Sequence, residues 1–269
     1  MRVRFLVCVW ITLWAVPLIV RAADKSVSDS DGIVTWTPAH PASRVEGKYK
    51  PTRWGMYDIE ARLENPAAGK VMLTVGEKAL DGSSDAVIAA IKLGRIYIDT
   101  EAERPVVIET TPAEATKPLV VKSLVFIPAP EGKPIVQSGD LSIILHAHDA
   151  TVHGVNLRYE FRPDKNTLGY WSNPKDWVSW DFEVTKPGKF NVVVMQGSPG
   201  SKDIQIAVGD QTINYTTKNT GSFHTFTFLE VGKLTFDKPG MNTLTLKPAA
   251  TVKGSIMDLR QIFLLPILK

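Results

Sequence analysis

The sequence has almost no cysteine, since Cys8 is the only one among 269 residues. This excludes a small scaffold held by disulfides and a metal site built from several thiolates. Catalytic motifs are also missing: there is no Gly-x-Ser-x-Gly elbow, no Walker loop and no His-Glu-x-x-His. Carboxylate pairs such as Asp58/Glu60 and Asp181/Glu183 remain, but their spacing places each pair on one strand face, where solvation explains them. The sequence therefore predicts a non-catalytic protein.

Positive and negative charges are nearly balanced in the sequence. The chain has 31 lysines and arginines against 28 aspartates and glutamates, and Arg2, Arg4 and Arg21 belong to a segment that we expect to be removed. Without these three arginines the net charge is zero, because 28 basic residues then face 28 acidic ones. The composition thus indicates neither a nucleic acid nor an anionic membrane as a partner.

The one long hydrophobic run extends from Phe5 to Val20. It follows Arg2 and Arg4 and ends in the small-x-small triplet Val20-Arg21-Ala22. We expect a secretory signal peptide over residues 1–22, with cleavage after the triplet. A retained membrane anchor is the alternative, although the run is short for a hydrocarbon core of about 30 Å. The sequence accordingly predicts a secreted, periplasmic or cell-surface protein with no membrane contact after cleavage.

From residue 33 onward the chain repeats itself in five blocks that keep one order. The first block pairs Ala39-His40-Pro41-Ala42-Ser43 with Ala147-His148-Asp149-Ala150-Thr151. The others pair the aromatic strand at Trp54 with that at Trp177, residues 75–80 with 208–213, residues 93–99 with 231–237, and Pro128 with Pro266. We therefore predict two copies of one domain, over 33–130 and 141–269, with a hinge over 131–140 and a polar linker over 23–32.

Each copy is rich in short segments with the two-residue alternation of half-buried strands. In the strand that begins at Trp177, the apolar residues Trp180, Phe182 and Val184 alternate with Ser179, Asp181 and Glu183, and we expect Trp177 and Trp180 to lie in the core. Pro/Gly turns such as Lys186-Pro187-Gly188 bound these segments, and long segments of helical periodicity are missing. Ser84 to Leu93 is compatible with a short helix, but we predict a strand there. The pattern predicts an all-β fold of two tandem β-sandwiches.

Several motifs of the second copy are typical of one known family. They are Ala147-His148-Asp149-Ala150, Lys175-Asp176-Trp177-Val178-Ser179-Trp180-Asp181, Lys186-Pro187-Gly188-Lys189-Phe190, Gly221-Ser222-Phe223-His224, Lys238-Pro239-Gly240-Met241-Asn242 and Met257-Asp258-Leu259-Arg260. In this order they resemble the galactose-binding-like β-sandwich, a jelly roll, of xylan-binding-type carbohydrate-binding modules. The second copy is also similar to the accessory domains that follow sulfatase or fucosidase catalytic domains in some bacteria. The first copy resembles these domains less, through Arg53-Trp54-Gly55-Met56-Tyr57.

The resemblance implies a sugar site on loops at one end of the second sandwich. Aromatic rings stack on the apolar C–H face of a sugar, while polar groups bond to its rim. The corresponding residues are the rings of Tyr170, Trp171 and Phe223 and the polar side chains of Asn166 and Asp176. For Trp171 a second interpretation stands beside this one, namely a loop ring that packs onto its own sandwich.

The resemblance also implies a structural calcium ion in the second domain. In the family a glutamate near the first strand and an aspartate of the last strand help to hold the ion. Asp258 matches the aspartate, whereas His148 stands where the glutamate is usual, and calcium prefers several oxygen ligands. His146 and His148 would share one face of a strand near Asp149, a spacing compatible with a metal site, although a structural role is favoured.

These observations predict a secreted, non-catalytic protein that binds a polysaccharide or glycoconjugate through tandem carbohydrate-binding-like modules. The alternative is a structural or cell-surface module that binds a partner protein, and a third interpretation is an enzyme that acts on glycans. Exposed loop aromatics would favour the first. A broad, flat apolar surface would favour the second, and a cleft with two facing carboxylates would favour the third.

Overall fold

A computed structural model describes residues 25–40, 42–249 and 253–268. The predicted signal peptide, residues 1–22, and the first two residues of the predicted linker lie outside these ranges. Within them, no helix has the length and apolar character needed to cross a membrane.

The first part of the chain forms a β-sandwich of two antiparallel sheets. Its strands are β1 (Lys25–Ser28), β2 (Val34–Thr37), β3 (Arg44–Tyr49), β4 (Gly55–Leu63), β5 (Gly69–Val75), β6 (Lys78–Ser84), β7 (Ala90–Ile98), β8 (Arg104–Pro112) and β9 (Val121–Ala129). One sheet has the order β1-β2-β9-β4-β7, and the other has the order β3-β8-β5-β6. All neighbouring strands run antiparallel.

The second part forms another β-sandwich with one short 3₁₀ helix, Ala147–Asp149. Its strands are β10 (Ile135–Val136), β11 (Ile143–His146), β12 (Thr151–His153), β13 (Arg158–Glu160), β14 (Thr167–Gly169), β15 (Trp177–Val184), β16 (Gly188–Gly197), β17 (Asp203–Val208), β18 (Gln211–Thr216), β19 (Thr227–Phe236), β20 (Gly240–Pro248) and β21 (Asp258–Pro266). One sheet has the order β10-β15-β20-β17-β18, with β12 beside β15. The other has the order β13-β14-β21-β16-β19, with β11 beside β21. The prediction of an all-β fold of sandwiches is confirmed.

Each sandwich has its own apolar core between its two sheets. One buried cluster extends from Val34 to Phe126 and the other from Ile135 to Leu264. The alternation of the strands produces these cores, because every second side chain of a strand faces the opposite sheet. Trp180 is buried as expected, and its indole nitrogen donates a hydrogen bond to the carbonyl of His146 at 2.7 Å.

The two sandwiches have the same topology, as the sequence repeat predicts. The order β3-β8-β5-β6 of the first reappears as β15-β20-β17-β18 in the second, and β2-β9-β4-β7 reappears as β11-β21-β16-β19. Even a β-bulge is shared: Leu93 in one sandwich and Val231 in the other have no partner across the strand. Each is followed by a glycine with positive φ, +131° at Gly94 and +159° at Gly232, a backbone conformation that glycine adopts more easily than other residues.

One of the five matched blocks, which pairs the strand at Trp54 with the strand at Trp177, is wrong. Tyr57 of β4 pairs with Pro128, and Phe190 of β16 pairs with Pro266. The strand that follows Trp54 therefore corresponds to β16, and the strand that begins at Trp177 corresponds to β3. The sequence match failed because an aromatic residue alternating with acidic ones fits any half-buried strand, so it does not distinguish neighbouring strands.

Three predicted segments are also corrected. Part of the predicted linker forms β1, which pairs with β2. Part of the predicted hinge forms β10, which pairs in parallel with β15 and so belongs to the second sandwich. Between Ser84 and Leu93 the chain is not one strand, because residues 85–89 separate β6 from β7.

The two sandwiches meet in a polar and aromatic junction. Arg53 is buried, and its guanidinium donates hydrogen bonds to the carbonyls of Leu157 at 3.3 Å and Val152 at 3.1 Å. The indole nitrogen of Trp54 donates to the carbonyl of Tyr159 at 3.0 Å. Arg53 and Trp54, which belong to the segment of the first copy that resembles the family, thus form hydrogen bonds to the backbone of the second sandwich.

Candidate functional site

A cleft of about 380 Å³ opens at one end of the second sandwich. It lies between the β13–β14 hairpin, the segment that precedes β15, the loop before β19 and the start of β21. Its walls combine aromatic rings with charged side chains, namely Glu160, Arg162, Lys165, Tyr170, Trp171, Phe223, His224, Ser255, Met257 and Asp258. Four of the six residues that the sequence predicts as ligands or metal ligands thus line one cleft.

Lys165 connects the two carboxylates of the cleft. Its ammonium nitrogen lies 2.9 Å from Oδ2 of Asp258 and 3.5 Å from Oε1 of Glu160. Burial alone would lower the pKa of Lys165, but the hydrogen bond and charge of Asp258 and the charge of Glu160 outweigh it and raise that pKa. Burial raises the pKa of Glu160, and the charge of Lys165 offsets part of this effect. Lys165 therefore stays charged and neutralises one of the two carboxylates.

A glycine makes room for this cluster. A Cβ atom on Gly169 would collide with Oε1 of Glu160 and would lie 3.2 Å from Oδ1 of Asp258. Gly169 pairs with Arg158 across the β13–β14 ladder, which places the end of β14 directly beneath both carboxylates. The lack of a side chain at Gly169 thus leaves room for Glu160 of β13 and Asp258 of β21 to meet at the cleft.

The residues present do not fit the calcium ion that the resemblance implies. The Asp258 carboxylate already bonds to the Lys165 ammonium, so a positive charge stands where the cation would lie. His148 lies in the 3₁₀ helix rather than on a strand with His146. Within the described ranges, no group of three or more His, Cys, Asp or Glu side chains is arranged to hold a metal ion. The expected role of Asp258 as a calcium ligand is corrected to that of a partner of Lys165.

Tyr170 is the exposed aromatic ring of the cleft. Its side chain is 55% exposed, and its backbone has φ of +56°, a conformation that costs energy for a residue other than glycine. The ring meets the Trp54 ring edge-on at 5.3 Å between centroids, and the guanidinium of Arg158 lies 4.6 Å from its centroid. Tyr170, which the sequence predicts as a ligand-binding ring, is thus an exposed ring in a loop that lines the cleft.

Trp171 differs from the exposed stacking ring that the sequence suggests. It is only 2% exposed and belongs to the core of the second sandwich. Its indole nitrogen donates to the carbonyl of Asp176 at 3.0 Å, and its own carbonyl accepts from the amide of Ile256 at 2.8 Å. Only the second interpretation, a ring packed onto its own sandwich, agrees with this burial.

Asp176 is fully buried and accepts hydrogen bonds from three backbone amides. Oδ1 accepts from Val155 at 3.2 Å, and Oδ2 accepts from Asn156 and Leu157 at 2.8 Å each. Both oxygens are therefore occupied by the chain itself. The expected contact of Asp176 with a ligand is corrected to a structural role, the anchoring of the segment that leads into β13.

Asn166 and Phe223 have different placements. Phe223 is half-buried and lines the cleft, as the sequence predicts. Asn166 lies in a neighbouring groove, where its side-chain oxygen accepts a hydrogen bond of 2.7 Å from the hydroxyl of Tyr159. Asn166 therefore does not lie beside Tyr170 in the cleft, although only three residues separate the two in sequence.

Sequence reasoning missed Glu160, Arg162 and Lys165, which line the cleft. Glu160 and Lys165 flank the turn between two three-residue strands, and such strands have too few residues to show an alternation. The available signal was the triplet Arg162-Pro163-Asp164, a turn sequence between two short segments that predicts a hairpin.

The groove next to Asn166 contains a titratable group of its own. Glu131 follows β9, lies between the two sandwiches and lines this groove together with His148 and Tyr159. Burial raises the pKa of Glu131 to about 7, and the charge of Arg53 offsets only part of the effect. The carboxyl group is therefore protonated in the folded protein under mildly acidic conditions.

This pKa predicts a pH dependence of stability. Between the ordinary pKa of a glutamate, about 4.3, and the folded value, the unfolded chain has lost a proton that the folded protein keeps. The free energy of unfolding should therefore decrease as the pH rises through this interval. Urea unfolding of the parent and of Glu131→Gln at pH 5, 6, 7 and 8 measures the effect. The variant should lose this part of the pH dependence, and equal slopes in both proteins would contradict the assignment.

The cleft lies in a part of the chain that matches a known family profile. A family profile described as a domain of unknown function (DUF5077) matches residues 158–265. This segment extends from the start of β13 to the last but one residue of β21 and includes every residue that lines the cleft. A comparison with curated proteins finds no match.

Solved structures that are similar to the chain include carbohydrate-binding modules, the family that the motifs resemble. A family 35 carbohydrate-binding module from Clostridium thermocellum is 12% identical, with 47% of this chain and 98% of that chain covered and a TM-score of 0.38. A GH26-CBM35 β-(1,4)-mannanase from Podospora anserina is 13% identical, with 48% and 28% covered and a TM-score of 0.37. A xanthan lyase from Paenibacillus is 14% identical, with 92% and 25% covered and a TM-score of 0.37.

The chain therefore spans only about a quarter of the length of these two enzymes. Since the TM-scores lie below 0.5, the assignment of the two sandwiches rests on the strand order described above. The role of the cleft has to be argued from its own residues.

Proposed function

We propose that the second sandwich binds a glycan in the cleft of Glu160, Lys165, Tyr170 and Asp258. The exposed ring of Tyr170 carries this proposal, because it stands at a cleft whose other walls are largely polar or charged. A sugar ring offers an apolar C–H face for stacking and a rim of hydroxyl groups for hydrogen bonds. Exposed loop aromatics beside polar groups are the feature that favours a glycan over a flat protein partner.

The charges of the cleft support a ligand with hydroxyl groups. Glu160 and Asp258 are hydrogen-bond acceptors, while Lys165 and Arg162 are donors, and both kinds line the same cleft. A hydroxyl group can donate to the first kind and accept from the second. No single sign of charge dominates, so a neutral sugar fits better than a polyanion.

Replacing Tyr170 by alanine should weaken glycan binding by about 1–3 kcal/mol, the usual effect of losing an aromatic anchor. The parent and the variant would be titrated calorimetrically with polysaccharides selected on an array of plant, algal and bacterial glycans, xylan, mannan and xanthan among them. Because the side chain is 55% exposed, the melting temperature should change little.

Phe228→Ala is the matched control for this experiment. Phe228 is 61% exposed on β19, belongs to the same sandwich and does not line the cleft. Its removal should leave binding unchanged. If Tyr170→Ala binds as tightly as the parent, or if the parent binds no glycan of the array, the proposal fails.

A glycan-active enzyme is the second candidate, because two carboxylates face the cleft. Acid–base catalysis requires one carboxyl group to donate a proton while the other is free to accept one or to attack. Here both contact the ammonium of Lys165, which supports a binding role for them instead. Release of reducing ends from the array polysaccharides by the parent, and its loss in Glu160→Gln, would establish the enzyme and exclude simple binding.

Export of the protein is part of the proposal and is supported by the hydrophobic run between Phe5 and Val20. The N-terminal sequence of the exported protein would then begin near Ala23. A cytoplasmic chain that keeps Met1 would contradict this part of the proposal without affecting the cleft.

A further inference from the structure

The ring of Tyr170 contacts one side chain of the first sandwich, Trp54, and one of its own sandwich, Arg158. Trp54 precedes β4, and its ring meets the Tyr170 ring edge-on. The guanidinium of Arg158 lies 4.3 Å from the centroid of Trp54 and 4.6 Å from that of Tyr170. One cation thus contacts two aromatic rings, one from each sandwich, and both contacts attract.

Arg158 is itself fixed by the first sandwich. Its side chain is 8% exposed, and its Nη1 forms an ion pair with Oε1 of Glu101, in the loop between β7 and β8. Its Nε donates a hydrogen bond of 2.9 Å to the carbonyl of Asn156. A charged side chain that is so little exposed needs such partners, because an unpaired buried charge is costly. Glu101 therefore determines where the guanidinium lies.

The junction around these residues leaves little room for movement. The gap lined by Arg53, Trp54, Glu131 and Tyr159 has a volume of about 10 Å³, close to the minimum for a single water molecule. The hydrogen bond between Trp54 and the carbonyl of Tyr159 holds the indole against β13. The Trp54 ring is thus fixed relative to the second sandwich.

Tyr170 needs such support because its backbone is strained. Its φ of +56° is unfavourable for a side chain with a Cβ atom, and its ring is more than half exposed, so its own sandwich contributes little to holding it. Without Trp54 and Arg158 the segment would relax toward a more favourable conformation and move the ring.

We propose that the first sandwich positions the ring of Tyr170 at the cleft of the second, through Trp54, Arg158 and Glu101. None of these three residues lines the cleft, so they are positioning residues. The consequence for ligand affinity rests on the proposed function, whereas the position of the ring does not. The first copy of the domain then contributes to glycan binding by positioning the Tyr170 ring, without contacting the glycan itself.

A pair of isosteric variants tests this proposal on the full chain. Glu101→Gln removes the charge that holds Arg158. Glu103→Gln is the matched control, because Glu103 lies in the same loop and pairs with Lys48 within the first sandwich. Trp54→Leu removes the ring, and Trp54→Phe restores one. Each variant would be labelled with ¹³C-tyrosine, and the Tyr170 signal would be assigned by its loss in Tyr170→Phe.

Both Glu101→Gln and Trp54→Leu should shift the Tyr170 signal. Glu101→Gln should weaken binding to the array polysaccharides about threefold, and Trp54→Leu should weaken it about tenfold, in the range expected for loss of cation–π and ring contacts. Glu103→Gln should do neither, and Trp54→Phe should recover part of both effects. An unchanged Tyr170 signal in Glu101→Gln and Trp54→Leu overturns the proposal. If the signal shifts in both variants but the parent binds no polysaccharide, the positioning is supported and only the proposed function is overturned.

Discussion

Trp171→Ala is expected to lower the free energy of unfolding by about 3–5 kcal/mol, the range for removing a large aromatic side chain from a core. The ring is almost completely buried among the residues of the second core. The substitution also removes the hydrogen bond from its indole nitrogen to the carbonyl of Asp176. Because this carbonyl and the cavity are both buried, neither loss is easily compensated. Urea unfolding monitored by circular dichroism measures the difference.

Trp177→Ala is the control, since Trp177 begins β15 only six residues further along the chain. Its ring is half-buried and stacks on His153 at 3.7 Å, with the ammonium of Lys247 at 4.2 Å from its centroid. We expect it to cost clearly less stability than Trp171→Ala. An equal or larger loss for Trp177→Ala would contradict the assignment of Trp171 to the core, and would restore the sequence-based expectation that Trp177 is the core residue.

The contrast between these two tryptophans shows what the sequence could predict. The alternation in β15 correctly places Trp180 and Phe182 in the core, because period two is a property of the strand itself. Trp177 lies on the other face of β15, together with Ser179 and Asp181, so the same alternation places it outside the core. Trp171 lies outside any strand, so no period applied to it, and its burial depends on contacts with Ile256 and Asp176.

The repeat predicted topology better than the correspondence of single strands. The bulge at Gly94 and Gly232 and the turns at Gly76 and Gly209 were matched correctly, because each requires a backbone conformation that glycine adopts most easily. The strand at Trp54 was matched to the wrong strand of the second sandwich. Alternation only requires apolar and polar residues in turn, so it does not tell one half-buried strand from another. Positions with backbone constraints are therefore the more reliable markers of an internal repeat in this chain.

The family resemblance pointed to some residues of the cleft but not to all. It implied Tyr170 and Phe223 as ligand-binding rings and Asp258 as a calcium ligand, and all three line the cleft. Lys165 was missed because its role arises from its pairing with Asp258, 93 residues away, and no local pattern encodes that contact. The same contact gives the Asp258 carboxylate a cationic partner although the residues do not fit calcium, because the ammonium of Lys165 supplies the positive charge.

Asp176→Ala is expected to lower the free energy of unfolding by at least about 3 kcal/mol. The carboxylate accepts hydrogen bonds from the amides of Val155, Asn156 and Leu157, and the amide of Leu157 lies in the buried interior. A hydrogen bond to a charged group contributes about 1.5–3 kcal/mol, and a buried donor left without an acceptor costs about 1–3 kcal/mol. Alanine cannot replace the acceptor, and the packed site leaves water little access.

Asp181→Ala is the matched control, because Asp181 belongs to β15, is exposed and accepts one side-chain hydrogen bond, from Thr243 at 2.6 Å. It should change stability by no more than about 0.5 kcal/mol. Asp176→Asn should fall between the two, since one oxygen remains as an acceptor while the amide group faces a donor. The segment held by Asp176 leads directly to Arg158, so Asp176→Asn should also shift the Tyr170 signal. A stability equal to that of the parent in Asp176→Ala would show that the three amides find other acceptors and would remove Asp176 from the account of the site.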